Sequence, residues 1–178
     1  MPLRSTMMLQ RYGGSISLMP SYLEEAGVVA TKIISIYPRN PERGLPTSIA
    51  QVVVNDPETG RFIAVMEASY LTALRTGAVT GVAARYLARE DSRVAAIIGC
   101  GVQGRTQAWA VVESRNIEVL RCYDLSRERS RSFAEEVSRE LGVDVLPVET
   151  GREAVEGADI VVTATTSKTP VIRREWLG

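Results

Sequence analysis

The chain contains no histidine, which removes a Ser-His-Asp relay and any His-rich zinc site and leaves acid-base work to lysine, aspartate, glutamate, tyrosine or cysteine. Lysine is nearly absent too: it occurs only at 32 and 168, and the other 19 of the 21 basic residues are arginine. The two cysteines, Cys100 and Cys122, follow no metal-ligand spacing, so no metal site is expected and free thiols are preferred to a bridge. There is no surplus of charge. Basic and acidic residues number 21 each, so no wide basic face for nucleic acid is expected. No run approaches the ~18 consecutive apolar residues of a membrane span, and the opening MPLRSTMMLQRYGG lacks the apolar stretch of a signal peptide. A cytoplasmic protein that binds neither nucleic acid nor membrane is the expectation.

What is present is ordinary globular material: 178 residues, 45% hydrophobic and 24% charged, enough for one good core or two small ones. Residues 3 to 65 alternate and turn as strands: STMMLQ, a Gly13-Gly14 turn, SISLM, VVATKIISIY, SIAQVVVN and RFIAVM, the last two joined by DPETG. The alanine-rich, proline-free stretch 67–90 predicts one helix. From Arg93 the pattern becomes β-branched runs separated by helices: VAAIIG, a helix 102–115, VLRCYD, a helix 127–141, VDVLPV, a short helix from 151, and DIVVTATT. Thr150 and Glu153 have the spacing of a capping box for the short helix. The fold class is therefore α/β: an antiparallel, hairpin-rich portion (1–66), a connecting helix (67–90), and βαβ units of a partial Rossmann-type parallel sheet (91–178).

The run AAIIGCGVQG carries Gly99, Gly101 and Gly104 at the strand-to-helix junction. A bare Gly-x-Gly-x-x-Gly is weak by itself, but here Gly99 ends a buried strand and Gly104 lies in the first helical turn. Free N–H groups and the helix dipole then face one spot that suits a pyrophosphate. Asp124 closes the next strand, where an acidic residue accepts hydrogen bonds from a ribose. A carboxylate there favours NAD over NADP. Arg127 and Arg129, close behind, could clamp a 2′-phosphate and leave NADP possible. A methyltransferase could place a glycine loop and an acidic residue similarly.

Two cations fall among apolar neighbours. Lys32 shares one strand face with Val28, Ala30, Ile34 and Ile36. An ammonium there must meet an anion, lose its proton or reach water from an edge. Arg75 has Leu71, Ala78, Val79 and Val82 as helical neighbours, with Gly77 and Gly81 allowing another backbone close by. Its partner would be a structural carboxylate or an anionic ligand.

The stretches LMPSY (18–22), TKIISIYPRN (31–40), GLPTSIAQVVVNDPETGRFIAVMEASYLTALRTGAVTGVAARYLA (44–88), IIGCGVQGRTQ (97–107) and GADIVVTATTSKTPVI (157–172) together resemble the ornithine cyclodeaminase and mu-crystallin family. That family also holds a type of alanine dehydrogenase and several ketimine reductases. The resemblance implies an NAD(P)-dependent enzyme, with cyclodeaminase (lyase) or oxidoreductase chemistry, that moves hydride between nicotinamide and the α-carbon of a small amino acid or imino acid. It implies that Arg4, Lys32 and Arg75 surround the substrate carboxylate, with Lys32 also near the reacting carbon as the catalytic group. Thr47 and Arg75 would touch the cofactor, Val102 and Gln103 would follow the glycine turn at the pyrophosphate, Asp124 would hold the adenosine ribose, and Thr165 would lie by the cofactor.

Family members continue beyond the EWL at 175–177, so the chain reads as C-terminally incomplete. The alternative to the enzyme is a non-catalytic, crystallin-like dinucleotide binder or an inactive fragment. The hairpin edges of the first portion predict a homodimer built through it.

Overall fold

The computed structural model describes residues 3–178. Two compact units follow one another, the first ending at Thr72 and the second comprising Ala73–Gly178.

The first unit is a five-stranded antiparallel sheet in sequence order: β1 (Ser5–Leu9), β2 (Gly14–Leu23), β3 (Val28–Ile36), β4 (Ser48–Asn55) and β5 (Phe62–Glu67). β-Branched residues at Val28, Val29, Ile33, Ile34, Val52, Val53 and Val54 suit a pleated surface. The β4–β5 connection is set by Asp56, whose Oδ1 accepts the Glu58 N–H at 3.0 Å while its Oδ2 accepts the Thr59 hydroxyl at 2.5 Å. An Asx turn of this kind is what DPETG encodes.

One strand runs longer than its sequence pattern suggests. β2 continues through Pro20, which is paired with Thr31 of β3. The β1 ladder ends at the Ser5–Leu18 pair, so beyond it β2 is an edge, where a missing N–H is tolerated.

The helix α1 (Ser69–Leu87) crosses from one unit into the next along the chain. Its start is fixed in the first unit, where the Ser69 hydroxyl accepts the Ala50 N–H at 3.0 Å. In the second unit it lies against α2 (Val102–Ser114). A Cβ at Gly77 would stand 2.4 Å from the Thr106 carbonyl oxygen, so only glycine allows this approach. Ser114 donates to the Gly81 carbonyl at 2.9 Å. Arg115 donates to the Arg85, Ala88 and Arg89 carbonyls at 2.7–3.0 Å, satisfying acceptors at the end of α1.

The second unit carries a four-stranded parallel sheet in the order β8-β7-β6-β9, formed by β6 (Val94–Ile98), β7 (Val119–Tyr123), β8 (Asp144–Pro147) and β9 (Ile160–Thr163). α2 and α3 (Arg127–Leu141) cover one face, where Ile97, Leu120 and Cys122 pack with Ala108, Phe133, Ala134 and Val137. The short α4 (Gly151–Val155) covers the other, where Ala96 and Ile98 pack with Ala154 and Val155. Alternate residues of β6 thus serve opposite layers, the period-two logic of a sheet buried on both faces. Each fully buried Ile, Leu or Val contributes roughly 1.5–3 kcal/mol. The mixed α/β architecture expected from sequence is the one observed.

At the opposite ends of these strands Asp159 joins β6 to β9. Its Oδ2 accepts the N–H groups of Arg93 (2.8 Å) and Val94 (2.9 Å), and its Oδ1 accepts from the Arg89 guanidinium.

Candidate functional site: the crevice at the carboxyl ends of the parallel strands

The order β8-β7-β6-β9 means that the chain leaves β6 toward β7 on one side and returns through α4 to place β9 on the other. Between the carboxyl ends of β6 and β9 lies the topological switch point of the sheet, where open α/β folds bind ligands.

Gly99 turns the chain there. Its φ is +103° and its N–H donates to the Tyr123 carbonyl at 2.8 Å. A Cβ on it would stand 2.5 Å from the Ala164 carbonyl oxygen and 3.0 Å from Thr165 Cγ2. The turn after β6 and the segment after β9 are therefore in direct contact, and Thr165 sits against the glycine turn. Gly104 closes the other side, since a Cβ there would be 2.1 Å from the Gly99 carbonyl oxygen. The first turn of α2 rests directly on the strand end.

Gly101 differs from both. It is the N-cap of α2, with extended backbone and no side-chain cap, and a Cβ on it would meet no atom within 4 Å. The two helices that follow are capped by side chains, α3 by Ser126 and α4 by Thr150. The amino end of α2 thus presents N–H groups and the positive end of its dipole beside open space. This fits an anionic phosphate approaching the backbone more closely than any side chain would permit.

Asp124 directly follows β7. Its Oδ2 accepts the Cys100 N–H at 2.9 Å, and its Oδ1 accepts the Ser126 N–H at 3.0 Å. One carboxylate fixes both the glycine turn and the approach to α3, and each oxygen keeps a further lone pair for a hydroxyl donor. Leu125 beside it is an apolar side chain that is 93% exposed.

Cys100, inside the glycine motif, is buried. The Cys122 sulfur beside it and burial both push its thiol well above the ordinary cysteine range, which keeps it neutral and a poor nucleophile. Val102 is exposed at the first turn of α2. Gln103 holds its side-chain oxygen buried without a hydrogen-bond partner.

The remaining sequence candidates stand elsewhere. Lys32 is half-buried on β3, paired across the sheet with Met19 and Val52. Thr47 precedes β4, and its carbonyl accepts the Tyr37 N–H at 2.8 Å. Arg4 precedes β1 and is exposed. Arg75 is also exposed on α1, together with Leu71, Val79 and Val82, so the apolar helix surface read from sequence is open at this arginine. Glycine-loop, Asp124 and Thr165 positions come together within the second unit, whereas Arg4, Lys32 and Thr47 belong to the first.

Sequence reasoning does not single out Glu149. It follows β8 and forms an ion pair with Arg127, the first residue of α3. Position alone could have suggested it, two residues past the end of the strand next to β7. Its own N–H donates to Glu153 at 3.1 Å. The capping box is therefore shifted: Thr150 accepts from the Glu153 N–H at 3.1 Å, and the reciprocal bond goes to Glu149.

A parallel sheet with a glycine turn, an uncapped helix and an acidic strand end at its switch point defines a Rossmann-type nucleotide fold. The whole chain, residues 1–178, matches the ornithine cyclodeaminase/mu-crystallin family, and it belongs to that family. It is 38% identical over 165 residues to an alanine dehydrogenase of Archaeoglobus fulgidus, covering 92% of this chain and 49% of the relative. Among solved structures, the Thermococcus litoralis Delta(1)-pyrroline-2-carboxylate reductase in complex with NADH and L-proline superposes with a TM-score of 0.97 at 48% identity, over 99% of this chain and 55% of that one. An archaeal alanine dehydrogenase dimer with bound NAD gives a TM-score of 0.89 at 36% identity, over 99% and 53%. The chain spans about half the length of the relatives it matches.

Proposed function

We propose that this chain serves an NAD-dependent enzyme of amino-acid metabolism that interconverts a small amino acid and its imine. The observation that carries the reading is the glycine turn: Gly104 seated on Gly99, and Gly101 facing open space at an uncapped helix start. Relatives with 48% and 36% identity that hold NADH or NAD support it. When bound, the nicotinamide supplies hydride exchange at its C4.

The chain's own residues divide the remaining work. The amino end of α2, with Gly99, Gly101, Val102, Gln103 and Gly104, receives the pyrophosphate, and Asp124 accepts from the adenosine ribose hydroxyls. Thr165, Thr47 and Arg75 complete the cofactor's surroundings. Arg4, Lys32 and Arg75 bind the substrate carboxylate, which turns the α-carbon toward the nicotinamide and contributes to rate through orientation. Lys32 holds a proton at the reacting nitrogen, since a carbon–hydrogen bond beside nitrogen exchanges hydride readily once an iminium can form.

The test follows NADH oxidation with a cyclic imino acid such as Δ1-pyrroline-2-carboxylate, and NAD reduction with L-alanine. Turnover that Lys32→Ala abolishes, with NADH affinity retained, supports the reading. NADH binding without turnover of either substrate class supports a non-catalytic nucleotide binder instead.

The first unit leaves large apolar side chains open, among them Phe62 at 76% exposure with Ile63 and Val65 on the edge strand β5. A second copy of the chain covers this surface in our reading, giving a homodimer. Two free, buried thiols suit a reducing compartment, and we place the protein in the cytoplasm.

A further inference from the structure

The adenosine end of the crevice contains a charge arrangement that neither the glycine motif nor Asp124 accounts for. Arg127 stands at the start of α3, just past Asp124. In the sequence it is a ready clamp for a phosphate on the ribose 2′ position, and it would argue for NADP. In the structure its guanidinium is held by Glu149. Glu149 reaches it because the β7–β8 ladder extends past the strand ends: the Val148 N–H donates to the Cys122 carbonyl at 3.0 Å, which sets residue 149 beside the segment that leaves β7. Its backbone N–H is tied to Glu153, so its position is fixed from two sides.

We infer that Glu149 is a cofactor-specificity residue, which selects a dinucleotide with a free ribose 2′-hydroxyl by occupying Arg127 and by adding a second carboxylate to that of Asp124. The inference rests on the proposed dinucleotide site. An incoming 2′-phosphate must displace Glu149 from Arg127 and then remain near two carboxylates, whereas a 2′-hydroxyl needs only an acceptor and finds Asp124. Exclusion here comes from repulsion rather than from an added contact to the preferred cofactor. The pair is solvent-exposed and adds little to stability, so its removal changes selectivity without unfolding the chain.

The experiment measures the dissociation constants of NADH and NADPH by fluorescence titration for the wild type, Glu149→Gln, Glu149→Asp and the double variant Arg127→Ala/Glu149→Gln. The wild type prefers NADH. Glu149→Gln tightens NADPH by about tenfold and leaves NADH within about twofold, the scale of one exposed charge pair released and one repulsion removed. Glu149→Asp keeps most of the wild-type preference, and the double variant loses most of the NADPH gain, because it removes the freed guanidinium and leaves only the relief of repulsion. An unchanged NADPH-to-NADH ratio in Glu149→Gln, with NADH still bound, overturns the inference alone. Binding of neither nucleotide by any variant in folded samples overturns the dinucleotide site itself and the inference with it.

Discussion

Asp124 accepts the backbone N–H of Cys100 at 2.9 Å, so the acidic residue at the end of β7 also holds the glycine turn at the end of β6. The turn is thereby anchored from a neighbouring strand, and one carboxylate serves both the ribose acceptor and the pyrophosphate cradle of the proposed site. Asp124→Asn offers one oxygen for the two N–H groups of Cys100 and Ser126 and turns an amide toward the other. The expected loss is about 1–2 kcal/mol of stability, together with weakened NADH binding, measured by denaturant midpoint and by titration. Unchanged stability contradicts the anchoring role.

Gly101 and Gly104 separate folding from binding. Gly104→Ala forces a Cβ to within 2.1 Å of the Gly99 carbonyl and is expected to cost on the order of 1–3 kcal/mol, as overpacking against backbone does. Gly101→Ala adds a methyl group into open space at an extended backbone position. Its stability falls by no more than about 1 kcal/mol, the preference of a helix N-cap for glycine over alanine, while its NADH affinity falls. Equal stability for the two variants contradicts this geometry.

Asp159 makes the sheet acid-sensitive. The N–H groups of Arg93 and Val94, with the Arg89 guanidinium, hold its carboxyl below the usual aspartate range, and its side chain is only 21% exposed. A depressed folded-state value stabilises the fold above the unfolded-state value of about 4. That stabilisation is lost as pH falls through the lower folded-state value. Asp159→Asn is expected to be less stable than the wild type at pH 7 by about 1–3 kcal/mol, and the gap should close below pH 4. A gap independent of pH contradicts the role assigned to the charge.

Arg115 closes the end of α1 with bonds to three carbonyls. Arg115→Lys keeps the charge but loses the planar fork. Thermal unfolding of this variant should reveal a loss of about 1–2 kcal/mol, with NADH affinity unchanged, and wild-type stability would contradict the capping function.

The elements of the second unit were legible because each sequence signal was local. The glycine spacing marked the β6–α2 junction, β-branched runs marked the strands, and Thr150 marked the start of α4. Features that depend on packing were less so. The apolar neighbours of Arg75 gave a helical face but could not say what covers it, and that face is open at Arg75. The Arg127–Glu149 pair needs β7 and β8 side by side, and the bond from Asp124 to Cys100 needs β6 and β7 in register. The extension of β2 through Pro20 was hidden because proline reads as a strand breaker until the end of β1 leaves one side of β2 unpaired.

Whether the turn at Gly99–Gly104 receives the pyrophosphate of NAD, as proposed, is decided by a fluorescence titration of the chain and its Gly101→Ala variant with NADH. Saturable binding by the wild type and at least a tenfold loss in the variant are expected, the scale set when backbone N–H groups can no longer approach a phosphate. Equal NADH affinity in the two proteins, or no binding by a folded wild type, would contradict the proposal.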